Sequence, residues 1–266
     1  MRRTVLLMGV ALATVPISTP MVGTLAAAAE MHESHGPRIP GPTGVEPNAA
    51  SVSNWTSTNW SGYAVTGTGF TSVTGRWKVP QVVPPRRTRP NLFSSTWVGI
   101  DGFNNSNLIQ AGTEQDWFNG APYYQAWWEI LPAPETPILS VVVHPGDSMS
   151  VSIIKGAPDW AITLTDTTTN QSFTTHQVYT GLLTSSEWVQ EAPTIGTRIA
   201  KLASDSTVVF DSGTVNGASP GLIGSESGAM FRGRKPISTP SLPDTDAVPD
   251  GFAVAYGKLA PQAPGS

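Results

Sequence analysis

Cysteine is absent from the 266-residue sequence. Its absence excludes disulfide bonds, cysteine catalysis and metal sites built from thiolates. A chain of this length is enough for one large all-β domain or two small ones, and it can bury a sufficient hydrophobic core without covalent cross-links. We therefore expect the fold to be held by its core alone.

Charged side chains are also scarce. They make up 13% of the sequence, against about 25% in an average soluble protein. The net charge of −4 argues against nucleic acid and anionic membranes as partners. Acid unfolds proteins largely by protonating carboxylates that the native state uses, so a chain with few ionisable groups suits an acidic medium.

Long apolar runs are missing, and the only notable one, near the N-terminus, is too short to span a bilayer. Residues 1–29 have the pattern of a secretory signal peptide. Arg2 and Arg3 form a positive start, Val5–Ala13 form an apolar core, and Ala26–Ala29 offers small residues for cleavage. We predict that the protein is secreted to the extracellular medium.

Residues 30–50 are rich in proline, glycine and alanine, which predicts a linker or a short pro-segment. Within them, His32-Glu33-Ser34-His35 does not match the H-E-x-x-H zinc motif, and we interpret it as part of a mobile tail. If the stretch is a pro-segment, its two histidines are candidates for sensing pH. At the other end, residues 258–266 predict a flexible tail.

Residues 51–257 contain strand-like runs separated by turn residues. Runs rich in β-branched and aromatic residues are interrupted by Gly, Pro, Asn and Asp, as in STWVGIDG, APYYQAWWEILP, ILSVVVHPGDSMSVSIIK and WAITLTDTTTNQSFTTHQVY. No stretch keeps a helical period over three turns. The pattern predicts a single all-β domain, an antiparallel β-sandwich of two packed sheets.

Alternation along the strands sorts the polar candidates, because successive side chains point to opposite faces. Three stretches each present a face that mixes acids, amides and tryptophan: Gln125, Trp127 and Glu129; Trp97, Gly99 and Asp101; and Glu187, Val189 and Glu191. The opposite face of residues 124–130 is apolar and predicts core. Such mixed faces fit the wall of a cleft, although exposed strand faces also carry glutamate and glutamine as surface residues.

Most catalytic motifs are missing from the sequence, including G-x-S-x-G, zinc motifs and phosphate loops. A Ser-His-Asp triad would need His144 or His176, and neither has suggestive neighbours. One match, VVFDSGT at 208–214, resembles the Asp-Thr/Ser-Gly turn of aspartic peptidases. A two-lobed aspartic peptidase needs two such triplets, so a single-motif aspartic peptidase using Asp211 remains a lesser alternative.

A series of segments, in their order and spacing, resembles the eqolisin family of glutamic peptidases. They are NWSGYAVTGTGFTSVTGRWKVPQV (59–82), STWVGIDGFNNSNLIQAG (95–112), YYQAWWEILP (123–132) and SSEWVQEAP (185–193), with weaker matches in LASDSTVVFDSGTV (202–215) and GFAVAY (251–256). The resemblance implies a β-sandwich of the concanavalin A-like or jelly-roll type, with a substrate cleft on its concave face.

The same resemblance implies the site. The catalytic pair falls on Gln110 and Glu187, and the supporting positions of the cleft fall on Trp60, Asp101, Trp127, Glu129 and Glu191. The sequence departs from the family pattern in three ways: it has no cysteine, Gln125 stands where an aspartate is usual, and residues 84–93 form a basic loop.

The implied function is that of a secreted acid endopeptidase, a monomer that acts on polypeptide substrates without metal, cofactor or covalent intermediate. Glu187 would take a proton from a water molecule and pass it to the leaving amine. The amide of Gln110 would donate a hydrogen bond to the developing oxyanion. The alternative from another class is a non-catalytic sandwich that binds carbohydrate through Trp60, Trp97 and Trp127.

Overall fold

The computed structural model describes residues 33–44, 53–86 and 91–265. The predicted signal peptide lies outside the described residues, as do positions 30–32 and 45–50 of the predicted linker or pro-segment. The described residues belong to one unit that begins at position 32. None of them forms a helix long and apolar enough to cross a membrane.

The described residues form 18 β-strands. The first nine are β1 (Glu33–Ser34), β2 (Trp55–Ser57), β3 (Trp60–Thr66), β4 (Ser72–Lys78), β5 (Ser95–Ile100), β6 (Ile109–Phe118), β7 (Ala121–Ile130), β8 (Thr136–Pro137) and β9 (Ser148–Lys155). The others are β10 (Trp160–Asp166), β11 (Gln171–Gln177), β12 (Ser185–Glu191), β13 (Thr194–Ile195), β14 (Arg198–Ile199), β15 (Val208–Val215), β16 (Ser227–Arg232), β17 (Lys235–Pro240) and β18 (Phe252–Tyr256). A single 3-10 turn at Gly224–Glu226 precedes β16. The prediction of an all-β fold is confirmed.

Most strands join one long hydrogen-bonded series that folds back on itself. Its order is β11-β10-β9-β4-β15-β18-β17-β16-β3-β12-β5-β6-β7-β8, and neighbours run antiparallel except where β2 adds to β16 in parallel. Strand β4 packs over β5, and β9 packs over β6, so the two ends of the series face each other as two layers. We call β3, β12, β5, β6 and β7 the site sheet. The predicted antiparallel β-sandwich is confirmed.

The hydrophobic core lies between the two layers. One layer contributes Val73, Trp77, Val151, Ile153, Ile162 and Leu164, and the site sheet contributes Tyr63, Val98, Ile100, Ile109, Ala111 and Trp188. β-branched and aromatic side chains pack well on a pleated surface, which is why these runs form strands. Because the core takes one face of the site sheet, its other face is left for chemistry.

Strand alternation divides the site sheet as the sequence predicts. Ala126 lies in the core, and Tyr124, Trp128 and Ile130 pack against it. Trp127, on the opposite face of β7, belongs to a separate cluster with Trp60, Trp97, Leu108 and Val189. The mixed faces of the sequence are therefore the outer face of one sheet.

The apolar stretch at residues 138–143 differs from the strand that its composition predicts. Ile138, Val141 and Val143 are buried, whereas Leu139 and Val142 are exposed. The amide of Val141 donates to the carbonyl of Ile138 at 3.5 Å, which bends the chain. This spacing of buried positions does not have the period of a strand, so the run closes the core as irregular chain.

Trp188 connects the two layers. It is 1% exposed, and its indole N–H donates to the carbonyl of Thr74 at 2.9 Å. Glycines make room for the ring: a Cβ atom on Gly75 would lie 2.8 Å from Cδ1 of Trp188, and one on Gly213 would lie 3.0 Å from Nε1. The ring therefore fills a socket shaped by two glycines.

We expect Trp188→Ala to lower the free energy of unfolding by about 3–5 kcal/mol, because it leaves a cavity that the neighbouring strands cannot close. Chemical denaturation measures the loss. Ile154→Ala, at a side chain that is 48% exposed, is the matched control and should change stability little. Equal losses for the two variants would contradict this packing account.

Candidate active site

One row of residues crosses four strands of the site sheet. Glu187 of β12 faces Gly99 of β5, Gly99 faces Gln110 of β6, and Gln110 faces Glu129 of β7. Directly paired residues share a face, so the side chains of Gln110, Glu187 and Glu129 point to the same side. Gly99 has no side chain, and the edge of the Trp97 ring lies over it: a Cβ atom there would be 3.0 Å from Cζ3 of Trp97. The Cα atoms of Gln110 and Glu187 lie about 10 Å apart across two strand spacings.

The amide of Gln110 is fixed by two hydrogen bonds. Its Nε2 group donates to Oε2 of Glu129 at 2.8 Å and to the main-chain carbonyl oxygen of His35 at 2.6 Å. Its Oε1 atom is buried and accepts no hydrogen bond from the described residues. Glu129 therefore orients the amide, with the N–H end on a peptide carbonyl and the oxygen end free to accept.

Glu187 is fully buried. Neither of its carboxyl oxygens accepts a hydrogen bond of good geometry within the described part of the chain. Burial raises the pKa of Glu187 well above its ordinary value, Asp101 raises it further by repulsion, and the nearby Ser185 hydroxyl offsets part of the rise. A buried carboxyl group with a raised pKa is a candidate for taking up a proton from a reacting group and returning it.

The two side chains together suit the binding of one water molecule. Water has two hydrogens to donate, and the row offers acceptors on both sides of Gly99: Oε1 of Gln110 and the carboxyl of Glu187. The Nε2 group of the same amide meanwhile holds a peptide carbonyl. The arrangement can therefore bring a water molecule and a carbonyl carbon together.

Residues 33–39 lie across this face of the sheet. Strand β1 pairs with β13, the indole N–H of Trp60 donates to the carbonyl of Gly36 at 3.1 Å, and the amide of Ile39 donates to the Asn59 side chain at 2.8 Å. This differs from the mobile tail that the sequence predicts. The segment is held by hydrogen bonds to its main-chain groups. Such bonds cannot be predicted from residue types, because every residue carries these groups.

His35 is the most enclosed residue of this segment. Its ring is fully buried and stacks on Trp127, with ring centroids 3.7 Å apart and an interplanar angle of 8°. Its Nε2 lies 2.7 Å from Glu114 and 3.1 Å from Glu135, and its Nδ1 lies 3.3 Å from Glu191. Burial alone would lower the pKa of His35, but these carboxylates outweigh it and raise the pKa well above the usual value. The surrounding carboxylates therefore favour the imidazolium form of the ring.

The predicted tryptophans line the same face but are not exposed. Trp60, Trp97 and Trp127 are each 0% exposed, and Trp60 meets Trp97 edge to face at 4.9 Å. The indole N–H of Trp97 donates to Glu191 at 2.8 Å, which places that predicted acid in the floor of the site. A stacking platform for a sugar ring needs an open indole face, and none of the three offers one here.

Asp101 takes up a different position from the other predicted acids. It follows β5 with a positive φ of 72°, and its carboxyl accepts the amides of Leu183 and Thr184 at 2.9 and 3.0 Å and the hydroxyl of Tyr179 at 2.7 Å. It therefore holds the loop that leads into β12. Its contribution to the site is to position the strand that carries Glu187.

A model of the Peptidase A4 family matches residues 58–238. The chain belongs to the Peptidase A4 family.

Individual relatives agree. Aspergillopepsin-2 from Aspergillus niger is 26% identical over 241 residues, 79% of this chain and 84% of the relative. Scytalidopepsin B from Scytalidium lignicola is 29% identical over 96 residues, 36% of this chain and 34% of the relative. The resemblance to glutamic peptidases is confirmed, and the chain is an enzyme of the peptide hydrolase class.

Solved structures confirm the fold. Scytalido-glutamic peptidase with a transition state analog inhibitor gives a TM-score of 0.63 at 20% identity, covering 75% of this chain and 98% of that chain. SCP-B, a member of the eqolisin family in complex with the tripeptide Ala-Ile-His, gives 0.58 at 19% identity with the same coverage. This eqolisin therefore has the same β-sandwich fold as these structures.

Gln125 and the basic loop of residues 84–93 are two departures from the family pattern. Gln125, in place of the usual aspartate, is two positions along β7 from Trp127 and accepts a hydrogen bond from the Tyr123 hydroxyl. Of the basic loop, the structure describes residues 84–86 and 91–93.

Asp211, the aspartic-peptidase alternative, is exposed on a bulge of β15 where Ser212 has a φ of 62°. It lies outside the row of Gln110 and Glu187.

Two groups of described residues have metal-ligand atoms within 4.8 Å of one another: Glu33, His35 and Glu114, and Asp211, Asp244 and Asp250. In the first group, the His35 ring nitrogen lies 2.7 Å from a Glu114 oxygen, which is an ion-pair distance, and the same nitrogen is hydrogen-bonded to Glu135 at 3.1 Å. The second group consists of three carboxylates, of which Asp211 is exposed, Asp250 is half-buried and Asp244 is buried.

The sequence interpretation missed the acids that surround His35. Glu114 lies four positions after Gln110 on β6, so strand alternation places it on the same face, and that signal was present in the sequence. Glu135 follows β7 in irregular chain, and Asp116 is buried beside Glu33. No periodic signal exists for Glu135, whereas Asp116 lies six positions after Gln110 on β6 and strand alternation places it on the same face.

Several buried acids make this fold a better binder of protons than its unfolded chain. Burial raises the pKa of Glu129 to about 7 and that of Asp205 to about 7, against ordinary values of 4.5 and 3.8. Raised pKa values in the folded state mean that stability is greatest below the unfolded values and is lost as the pH rises through the folded ones. The raised pKa of His35 acts in the same direction.

We therefore expect the thermal unfolding midpoint to be highest near pH 4 and to fall as the pH rises to about 7. The measurement should use Glu187→Gln, which prevents self-digestion from distorting the curve. Adding Asp205→Asn, which removes one titrating group, should flatten the fall. A midpoint that rises between these pH values would contradict the account.

Proposed function

We propose that this eqolisin is a secreted acid endopeptidase in which Gln110 and Glu187 form the catalytic pair. The observation that supports this most is the bond from Nε2 of Gln110 to the His35 carbonyl oxygen at 2.6 Å. A peptide carbonyl is held there by a neutral donor, beside a carboxyl on the same face. A peptide bond in water has neither this fixed donor on its carbonyl oxygen nor a carboxyl group held beside it.

The reaction follows from these positions. A water molecule between Oε1 of Gln110 and the ionised Glu187 carboxylate gives up a proton to Glu187 as its oxygen attacks the carbonyl carbon. Negative charge then develops on the carbonyl oxygen, where the Nε2 group already donates. Glu187 passes its proton to the leaving nitrogen, the carbon–nitrogen bond breaks, and two peptides result.

Glutamine suits this position better than glutamate. Two ionised carboxylates in one small site would compete for a single proton and raise each other's pKa. A neutral amide avoids this and presents a donor and an acceptor at once. Glu129, hydrogen-bonded to Nε2, keeps the two ends of the amide from exchanging places and is a positioning residue in this proposal.

The pH dependence of the reaction follows from Glu187. It must be ionised to act as a base, so activity falls as the pH drops through its pKa. Burial raises that pKa above the ordinary value of 4.5, so the acid limb of the pH profile lies higher than for an ordinary glutamate, and we propose a mildly acidic working range. We propose that the mature enzyme acts there as a monomer on polypeptide substrates, in the extracellular medium and without nucleic acid or membrane partners.

We expect Glu187→Gln and Gln110→Ala each to reduce casein hydrolysis by at least about a hundredfold, because one removes the base and the other the oxyanion donor. The assay should span about pH 3 to about pH 7. Asp159→Asn, at the exposed turn between β9 and β10, is the matched control and should keep full activity. A folded Glu187→Gln variant with wild-type turnover would overturn the assignment.

Inhibitors separate this proposal from the aspartic-peptidase alternative. Pepstatin is aimed at a pair of aspartates that share a proton, so we expect it to leave hydrolysis unchanged, as should chelators. Asp211→Asn should retain activity because its side chain is exposed and lies outside the row. Complete inhibition by pepstatin together with loss of activity in Asp211→Asn would instead support the alternative.

A further inference from the structure

The chain seats one of its own peptide bonds on the proposed catalytic pair. The carbonyl of His35 accepts from Nε2 of Gln110 at 2.6 Å, and the amide of His35 donates to Glu129 at 3.0 Å. The next carbonyl, that of Gly36, accepts from the Trp60 indole at 3.1 Å. Both polar main-chain groups of His35 are thus bound by residues of the site sheet, as a substrate strand would be.

The pocket for the His35 side chain is built for a cation. Its floor is the Trp127 ring, stacked on the imidazole at 3.7 Å. Its walls are carboxyl groups, with Glu114 and Glu135 on one ring nitrogen and Glu191 on the other. Ionised carboxylates only accept hydrogen bonds, so a ring with an N–H group on both nitrogens, the imidazolium, fits this arrangement best.

Other side chains fit this pocket poorly. A carboxylate would meet acceptors and negative charge, and an aliphatic chain would leave buried acids without a donor, which costs free energy. A neutral amide could donate from its NH2 end only and brings no positive charge to the surrounding carboxyl groups. The flat ring stacked on the indole adds a preference for a planar cation over a point charge. The pocket therefore discriminates by charge and by shape.

From these contacts we propose that the pocket formed by Trp127, Glu114, Glu135 and Glu191 is the subsite for the residue that donates the scissile carbonyl. This pocket selects histidine and other cationic side chains. The bond of the chain itself that is cleaved there is His35–Gly36. This inference rests on the proposed function, since it takes Gln110 as the oxyanion donor.

The step balances without any further reactant. The oxygen of water bonds to the carbonyl carbon of His35, and one water proton passes through Glu187 to the nitrogen of Gly36. The bond between that carbon and nitrogen breaks. One product ends in the His35 carboxylate, and the other begins with Gly36 and contains the whole site sheet.

Self-cleavage is tested first by mass. The exported full-length chain is incubated at mildly acidic pH, and the intact mass and N-terminal sequence of the product are determined. We expect a product that begins at Gly36 in the wild type and an uncut chain in Glu187→Gln. His35→Glu should suppress that cut, because it places a carboxylate among carboxylates, whereas His35→Arg should retain it. A wild-type product that begins elsewhere, with no Gly36 product at any time, would overturn the inference.

Selectivity is tested with the mature enzyme on two peptides. One has the sequence of residues 31–39, MHESHGPRI, and the other carries His35→Gln. We expect kcat/KM to be at least about tenfold higher for the histidine peptide, because the charged hydrogen bonds are lost in the other. The matched enzyme variant Glu114→Gln should lower this ratio. Equal kcat/KM for the two peptides would contradict the cationic subsite.

The results separate this inference from the proposed function. If casein hydrolysis depends on Glu187 while the peptides are cut equally and no product begins at Gly36, the catalytic pair stands and the subsite proposal fails. If Glu187→Gln hydrolyses casein and its own chain as the wild type does, both fail. Cleavage of the histidine peptide at another bond counts against the subsite alone.

Discussion

The hydrogen bond that the Gln110 amide donates to Glu129 sets the geometry of the whole site. By accepting from Nε2 at 2.8 Å, Glu129 decides which end of the amide holds a peptide carbonyl and which end is free to accept. Gly99, on the strand between Gln110 and Glu187, has no side chain and leaves room for the edge of the Trp97 ring. The β-sandwich is the support that this pairing requires, because register fixes facing residues far more tightly than a loop would.

The same arrangement concentrates acids where water is excluded. Glu129, Glu187 and Glu191 are all 0% exposed, and burial raises the pKa of each. The folded protein therefore binds these protons more tightly than the unfolded chain does, so low pH stabilises the fold. The low charge content of the sequence also limits acid unfolding. Because the chain has no cysteine, the fold is held without disulfide bonds, by the core and by the contacts of residues 33–39 on the site sheet.

Much of this was accessible from residues alone, for reasons that can be named. Period-two alternation placed Glu187 and Glu191 on one face and Trp188 on the other, and register needs only that pattern and the pairing of strands. Resemblance supplied Gln110, which no pattern would have singled out. The seating of His35 was not accessible, because it depends on main-chain hydrogen bonds and on Glu135, which lies in irregular chain. Burial of Ile138 and Val143 without a strand shows the same limit: composition reports what is buried but not the path of the backbone.

The central claim is that Gln110 and Glu187 act on one water molecule as a unit. A double-mutant cycle on kcat tests it directly, with Gln110→Ala, Glu187→Gln and the two combined. Groups that act together lose their contribution once, so the combined variant should be no slower than the slower single variant. If the two losses multiply instead, the side chains work independently, and the shared-water account is wrong.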